Sequence, residues 1–263
     1  CKKKIETFKS KNSVKMAINT DKNSYTILFA TGMVIIVGAL LAFVSSNFKE
    51  KIIENKRIEK QQNILYAMGV NENDETSVEF VSKNIVGQEF SKYIVKQYVV
   101  TGTEAVEDAN AYLIDIKKEE AKAKDSNYKR RLPLFIGEKD NATFYIVPVR
   151  GKGLWDAIWG YVSLDKDLVV EGVFFDHAGE TPGLGSNIKE RFFMDDFKGE
   201  HILDGETFKG IDVAKGNSDP KNNDKTDNEV DAIAGATITG NGLAVMLKKD
   251  LQLYLPYLKT LKK

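Results

Sequence analysis

The sequence predicts one N-terminal transmembrane helix followed by a mixed α+β domain. Three observations lead to this fold class. A charge-free apolar segment lies at residues 26–44, several runs of β-branched and aromatic residues follow residue 92, and a long amphipathic pattern lies near the C-terminus. Strands and helices that occupy separate stretches, without a regular alternation, are typical of α+β domains. We expect a tail at residues 1–24, a transmembrane helix at 25–48 and an extracytoplasmic domain at 49–263.

The apolar segment has the length of a helix that spans a lipid bilayer. Its 19 residues carry no charge and are flanked by Lys22 and Lys49. At 1.5 Å per residue they would extend roughly 28 Å, which is close to the thickness of the hydrocarbon core. The apolar region of a secretory signal would be shorter, and a buried core helix is the remaining alternative.

Basic residues near the two ends of this segment predict its orientation. Seven precede it, namely Lys2, Lys3, Lys4, Lys9, Lys11, Lys15 and Lys22. Five follow it, namely Lys49, Lys51, Lys56, Arg57 and Lys60. Because the more basic flank usually stays in the cytoplasm, we expect the N-terminus inside and residues 49–263 outside.

The domain that follows should begin with a helix and continue with strands. Charges of both signs alternate around isoleucines at residues 49–68, which predicts a juxtamembrane helix. Runs rich in Val, Ile, Tyr and Phe predict strands at residues 93–100, 143–149, 160–164 and 168–175. Residues 215–228 are rich in Asn, Asp, Lys and Gly, which is typical of a solvated loop.

Helical patterns interrupt and follow these strands. We expect helices at residues 104–118, 188–197 and 241–255, and the last has the clearest apolar face. It should start near Gly240 or Asn241, and Pro256 should kink or end it.

Composition excludes several kinds of site. The chain has 38 basic and 38 acidic residues among 263, so no net charge would attract nucleic acid. One Cys and two His cannot form a disulfide framework or a four-ligand zinc site, and we expect no metal site. His177 is best interpreted as a surface or loop histidine. Standard catalytic signatures are absent from the sequence, so we expect no catalytic residues and no complete active site in this chain.

Three glycine-rich stretches remain as candidate binding elements. Gly151-Lys-Gly-Leu-Trp155 lies between two predicted strands and could be a turn that closes a core. Glu180-Thr-Pro-Gly-Leu-Gly185 combines a fixed φ with glycines that permit close backbone approach, or it is an ordinary loop. Asp231-Ala-Ile-Ala-Gly-Ala-Thr-Ile-Thr239, which ends in the run Ala-Gly-Ala-Thr-Ile-Thr, leads into the predicted C-terminal helix. A helix start can hold a phosphate, whereas capping by Thr239 or Asn241 is the simpler alternative.

The last stretch resembles the flavinylation motif Ser/Thr-Gly-Ala-Thr-x-Thr of the FMN-binding domains of redox-driven ion pumps. Gly-Lys-Gly-Leu-Trp and Glu-Thr-Pro-Gly-Leu-Gly are similar to segments of the C subunits of sodium-translocating NADH:quinone oxidoreductases. The three motifs occur in the same order, and the resemblance extends over residues 25–258. Ala234 departs from the motif, which has Ser or Thr there, but the final threonine is present.

The resemblance implies that Thr239 carries FMN through a phosphoester bond, attached by a periplasmic flavin transferase. Apolar and backbone groups suited to a flavin ring occur in the other two stretches. The predicted cofactor-binding residues are Thr239, Thr237, Gly235, Ala236, Gly153, Leu154, Trp155, Glu180, Thr181, Pro182, Gly183 and Leu184.

The resemblance also implies a function, partners and a location. The chain would be an electron-carrier subunit of a sodium-pumping NADH:quinone oxidoreductase in the bacterial inner membrane, with the FMN domain in the periplasm and other membrane subunits as partners. Two alternatives remain at this point. One is the G subunit of the Rnf ferredoxin:NAD oxidoreductase complex, and the other is a membrane-anchored module that binds a phosphorylated ligand noncovalently.

Overall fold

The computed structural model describes residues 22–74, 77–216, 219 and 222–261, so nearly all of the predicted tail at 1–24 lies outside the described residues. The chain divides into two compact units, Cys1–Ile53 and Glu54–Lys263. In the first unit, helix α1 (Asn23–Asn47) has 25 residues and buries none of them. Its length and apolar composition are sufficient to cross a membrane. Helix α2 (Lys49–Ala67) follows where the alternating charges predicted it.

The second unit is built on a six-stranded antiparallel sheet. Its strands are β1 (Ile94–Thr101), β2 (Glu104–Glu107), β3 (Leu132–Lys139), β4 (Ala142–Lys152), β5 (Ala157–Leu164) and β6 (Val170–His177). Their spatial order is β2-β1-β3-β4-β5-β6. Short strands follow in two further pairs: β7 (Leu203–Asp204) with β8 (Thr207–Phe208), and β9 (Asp212–Val213) in parallel with β10 (Glu229–Val230).

The remaining helices are α3 (Val86–Tyr93), α4 (Ile116–Lys122), α5 (Arg191–Met194) and α6 (Thr237–Leu261), with 3-10 turns at Ala111–Leu113, Gly185–Lys189 and Asp195–Phe197. The observed mixture of helices and an antiparallel sheet confirms the predicted α+β class.

Helices cover both faces of this sheet. On one face, the end of α2 packs against β6, where the Tyr66 and Phe174 rings lie 5.9 Å apart. On the other face, α6 packs against β4, and a Cβ atom on Gly151 would lie 2.7 Å from Met246 Cβ. The strand register places Gly151 and Phe174 on opposite faces, because side chains alternate along each strand. The core therefore has two layers, one on each side of the sheet.

The C-terminal helix is longer than its pattern predicted. It begins at Thr237, not near Gly240 or Asn241, and it continues to Leu261. Of the two outcomes predicted for Pro256, a kink or an end to the helix, the end is not observed. Pro256 removes the hydrogen bond to the carbonyl of Gln252, but both residues are exposed, so water can satisfy that carbonyl.

Two other helix predictions were wrong or only partly right. Residues 104–118 form strand β2, a 3-10 turn and the start of α4, because Gly102 adopts φ +67° and turns the chain back to pair with β1. Residues 188–197 hold only the four-residue α5 between two 3-10 turns.

Strand β3 was missed, since Pro133 and Gly137 interrupt its apolar run. Gly137 is needed there because any Cβ would collide with Met68 Sδ.

Candidate functional site

The three glycine-rich stretches meet at one end of the large sheet. Residues 153–156 form the turn between β4 and β5, and the chain leaves β6 at His177 just before Glu180. The antiparallel register brings these ends together, since Lys152 pairs with Ala157 and Ile158 pairs with His177. The first turn of α6 joins them there, because α6 packs along β4. Segments that are far apart in sequence thus form one site.

A buried hydrogen bond joins two of the stretches. Thr239 Oγ1 donates to Glu180 Oε2 over 2.5 Å, and both residues are buried, with 1% and 5% of their surface exposed. The other carboxylate oxygen, Oε1, accepts the backbone N–H of Trp155 over 2.9 Å. The backbone N–H of Glu180 in turn donates to His177 Nδ1 over 3.1 Å. Glu180 therefore links all three stretches.

Hydrogen bonding keeps this buried carboxyl group ionised. Burial raises the pKa of Glu180, but hydrogen bonds from the Thr239 hydroxyl and from the backbone of residues 154–156 outweigh burial and hold the pKa below its usual value. Glu180 is therefore a carboxylate at neutral pH, stabilised by neutral donors.

Glycine allows the backbone to approach this pair closely. A Cβ atom on Gly185 would lie 2.5 Å from Thr239 Oγ1 and 2.6 Å from Glu180 Oε2. A Cβ atom on Gly153 would lie 2.6 Å from Glu180 Oε1. Any larger residue at either position would have to displace the hydrogen-bonded pair.

Apolar side chains form an exposed rim around the buried pair. Leu154, Trp155 and Leu184 are 42%, 65% and 41% exposed, which leaves a patch of apolar surface open to a ligand. The Trp155 indole is held in place, since its Nε1 donates to Thr181 Oγ1 over 3.1 Å. Leu184 lies against Gly235, where a Cβ atom would be 2.8 Å from Leu184 Cδ2.

The two threonines of the third stretch are in different environments. Thr237 is the first residue of α6 and is exposed, whereas Thr239 lies in the first helical turn and is buried. The alternative that Thr239 caps the helix is wrong, because its hydroxyl donates to Glu180 from within the helix. Asn241 is also inside α6 and does not cap it. Ala236 is buried just before the helix, and Gly235 adopts φ +71°.

The second stretch forms an exposed loop that turns sharply. Thr181, Pro182 and Gly183 are exposed, and Gly183 adopts φ +74°. Its backbone N–H donates to Ser186 Oγ over 3.1 Å, which closes the turn. The structure thus brings Gly153, Leu154, Trp155, Glu180, Thr181, Leu184, Gly235 and Thr239 into one region, with Pro182, Gly183, Ala236 and Thr237 next to them in sequence.

Sequence reasoning missed contributions from His177 and Gly185. His177 lies at the end of β6, where it is half-buried and accepts the Glu180 N–H, and its Nε2 atom is buried without a hydrogen-bond partner in the part of the chain that the structure describes. Its position three residues before Glu180 was the available signal. Gly185 ends the second stretch, but only the fold shows that it faces Thr239. Among the described residues, no group of three His, Cys, Asp or Glu side chains could hold a metal.

Comparison with known proteins identifies the family. Residues 153–252 match the FMN-binding domain family. The C subunit of the Na(+)-translocating NADH-quinone reductase of Vibrio anguillarum is 26% identical over 87% of this chain and 90% of that protein. The Pseudomonas aeruginosa protein of the same name is 27% identical over 87% of this chain and 91% of that protein.

Solved structures agree with these relatives. The crystal structure of the Na(+)-translocating NADH-quinone reductase C subunit from Parabacteroides distasonis is 30% identical, with a TM-score of 0.68 over 80% of this chain and 96% of that chain. The Shewanella oneidensis NqrC structure shares the fold, at 24% identity and a TM-score of 0.62. The chain belongs to the family of C subunits of Na(+)-translocating NADH-quinone reductases, and it contains that family's FMN-binding domain.

Proposed function

We propose that this chain is an electron-carrier subunit of a sodium-pumping NADH:quinone oxidoreductase, with FMN attached covalently to Thr239. The observation that carries the proposal is the position of the Thr239 hydroxyl. It lies where three motifs of the family converge, in the first turn of α6 and beside the exposed apolar rim. Family membership supports FMN as the ligand, and the final threonine of the motif supports this residue as the attachment point.

The residues at this site fit FMN in chemical type. The first N–H groups of an α-helix have no acceptor within the helix, and they can stabilise the negative charge of a phosphodiester at the start of α6. The exposed side chains of Leu154, Trp155 and Leu184 offer apolar surface to a flat ring system. Attachment requires one rearrangement, because Thr239 is buried and Gly185 covers its hydroxyl.

FMN supplies the redox chemistry, while the protein holds it in place and sets its surroundings. The 25 residues of α6 fix the position of Thr239 relative to the sheet, and their buried face extends from Leu243 to Leu258. The exposed rim would allow a redox partner to approach the ring. No acid or base of this chain is required for electron transfer itself.

The proposed setting is the bacterial inner membrane. Helix α1 supports a single anchor by its length and apolar composition. The excess of lysines before it supports a cytoplasmic N-terminus and a periplasmic FMN domain. A periplasmic flavin transferase would then attach FMN, and the other membrane subunits of the pump would exchange electrons with it. The relatives named as C subunits of Na(+)-translocating NADH-quinone reductases support this complex over the Rnf alternative.

Intact-protein mass spectrometry tests the covalent attachment. The full chain is expressed with a flavin transferase as wild type, Thr239→Val and Thr237→Val. Valine keeps the shape of threonine but lacks the hydroxyl. We expect the FMN adduct in the wild type and in Thr237→Val, and its loss in Thr239→Val. An adduct that depends on Thr237 would move the attachment point, and a wild type without any adduct would favour the noncovalent binding module.

A further inference from the structure

We propose that Glu180 orients the Thr239 hydroxyl for flavin attachment and accepts its proton during the reaction. The inference rests on the proposed covalent FMN at Thr239, and it assigns part of the attachment chemistry to the acceptor protein itself. It arises from the 2.5 Å hydrogen bond between two buried side chains that lie 59 positions apart.

The carboxylate is arranged to act on one particular atom. Its Oε1 is fixed by the backbone N–H of Trp155, which leaves Oε2 directed at the Thr239 hydroxyl. A hydroxyl that donates to a carboxylate directs an oxygen lone pair away from that carboxylate, and this lone pair is the one that must attack phosphorus. Glu180 therefore sets the direction of attack as well as receiving the proton.

The groups around Glu180 keep its carboxyl group ionised before the reaction, so it is free of a proton and able to accept one. The negative charge of Glu180 is stabilised by the Thr239 hydroxyl and by backbone N–H groups of residues 154–156. Among the described residues, no cationic side chain contributes to this stabilisation. His177, the nearest titratable side chain in this network, uses Nδ1 to accept the Glu180 N–H. When Thr239 becomes an ester, Glu180 loses its hydroxyl donor and gains a phosphodiester anion as a neighbour. Both changes raise the pKa of a carboxyl group.

The reaction balances with an activated flavin nucleotide as the co-reactant. Direct condensation of FMN with a hydroxyl would have to release water in an aqueous compartment, so the donor must hold the FMN phosphate in a phosphoanhydride, as FAD does. Thr239 Oγ1 forms a bond to that phosphorus, and the anhydride P–O bond breaks. The other half of the anhydride, which is AMP when the donor is FAD, leaves with the bonding electron pair. The hydroxyl proton passes to Glu180 Oε2. No atom is oxidised or reduced.

The rate of adduct formation tests the role of Glu180. The full chain in detergent is mixed with purified flavin transferase and FAD, and intact mass is followed over time and over a pH series. Glu180→Gln removes the proton acceptor while keeping the side-chain size. Glu206→Gln makes the same chemical change at an exposed position and serves as the control. We expect Glu180→Gln to react about 10²- to 10⁴-fold more slowly, Glu180→Asp to retain part of the rate, and the control to match the wild type.

A pH series separates proton uptake from simple support of the loop. Hydroxide can replace a missing proton acceptor, so the rate of Glu180→Gln should rise with pH more steeply than the wild-type rate. Equal rates for wild type and Glu180→Gln would overturn the inference while leaving the adduct at Thr239 intact. A wild type that forms no adduct would instead refute the proposed function.

Carboxyl titration provides a second test that needs no variant. The ¹³C shift of the Glu180 carboxyl group is followed with pH in the wild-type protein before and after flavin attachment. We expect its pKa to be higher in the attached form. An unchanged pKa would show that Glu180 does not face the reacting oxygen, and it would overturn the inference even if Glu180→Gln failed to fold.

Discussion

Replacement of Gly185 by alanine should push Thr239 and Glu180 apart and weaken the buried hydrogen bond between them. The new methyl group would lie 2.5 Å from Thr239 Oγ1 and 2.6 Å from Glu180 Oε2, whereas ordinary contacts begin near 3.4 Å. Relative to the new methyl group, Thr239 Oγ1 would have to move by about 0.9 Å and Glu180 Oε2 by about 0.8 Å. Thr239 is held by α6, and Glu180 is held by the turn at Trp155. Neither can move freely.

The magnitude follows from overpacking a rigid site. Extra methyl groups in well-packed cores cost about 1–3 kcal/mol, and we expect the free energy of unfolding to fall by about 2 kcal/mol. The same displacement should slow flavin attachment at least about tenfold, because about 1.4 kcal/mol in orientation corresponds to a factor of ten. Gly179→Ala is a matched control, since a Cβ atom there has nothing within 4 Å.

Urea denaturation followed by tryptophan fluorescence, together with intact-mass kinetics, would measure the two effects in the full chain. If Gly185→Ala retained wild-type stability within about 0.5 kcal/mol and also wild-type attachment kinetics, the close packing at Thr239 would have no energetic consequence. A large effect of Gly179→Ala would show that the loop, not the pair, responds to substitution.

Three further predictions concern the loop at Gly183, the buried Glu119 and the orientation of the membrane anchor. Gly183→Val forces a β-branched residue to φ +74°, so it should lower the free energy of unfolding by about 1–3 kcal/mol. It should also shift the midpoint potential or the semiquinone yield of a fully flavinylated protein. An unaltered redox titration would place this loop outside the flavin site. Burial raises the pKa of Glu119, but hydrogen bonds, above all from Arg131 and Tyr128, lower it to about 2. Ionised Glu119 should therefore stabilise the folded protein by up to about 3 kcal/mol above pH 4.5, and this contribution should disappear as the pH falls towards 2. The free energy of unfolding of Glu119→Gln should change less over this acid range than that of the wild type. Protease added to intact spheroplasts should digest residues 49–263, and protection until the membrane is lysed would reverse the proposed orientation.

Much of the architecture could be predicted because it depends on local patterns. The apolar run that forms α1, the strands β1, β4, β5 and β6 and the body of α6 all follow from periodicity in the sequence. The errors occur where neighbours in space override the local pattern. Residues 104–107 pair with β1 and become a strand, and Gly137 lies in β3 to make room for Met68.

The candidate site was only partly predictable for a similar reason. The three glycine-rich stretches were conspicuous as motifs, and Thr239 could be singled out by resemblance. Their convergence depends on the register of β4, β5 and β6, which no single stretch encodes. For that reason the hydrogen bond between Glu180 and Thr239 could not be foreseen from sequence, nor could the shielding of Thr239 by Gly185.

The long C-terminal helix restricts how a redox group on Thr239 could work. Mobile carriers such as lipoyl arms visit distant partners on a flexible tether, but Thr239 is 1% exposed and belongs to a helix whose buried face extends to Leu258. A group fixed there would have almost no reach of its own. Electron transfer would then depend on how closely each partner docks to the fixed group. The electron donor and the electron acceptor would have to reach the rim formed by Leu154, Trp155 and Leu184 one after the other, or approach it from different sides.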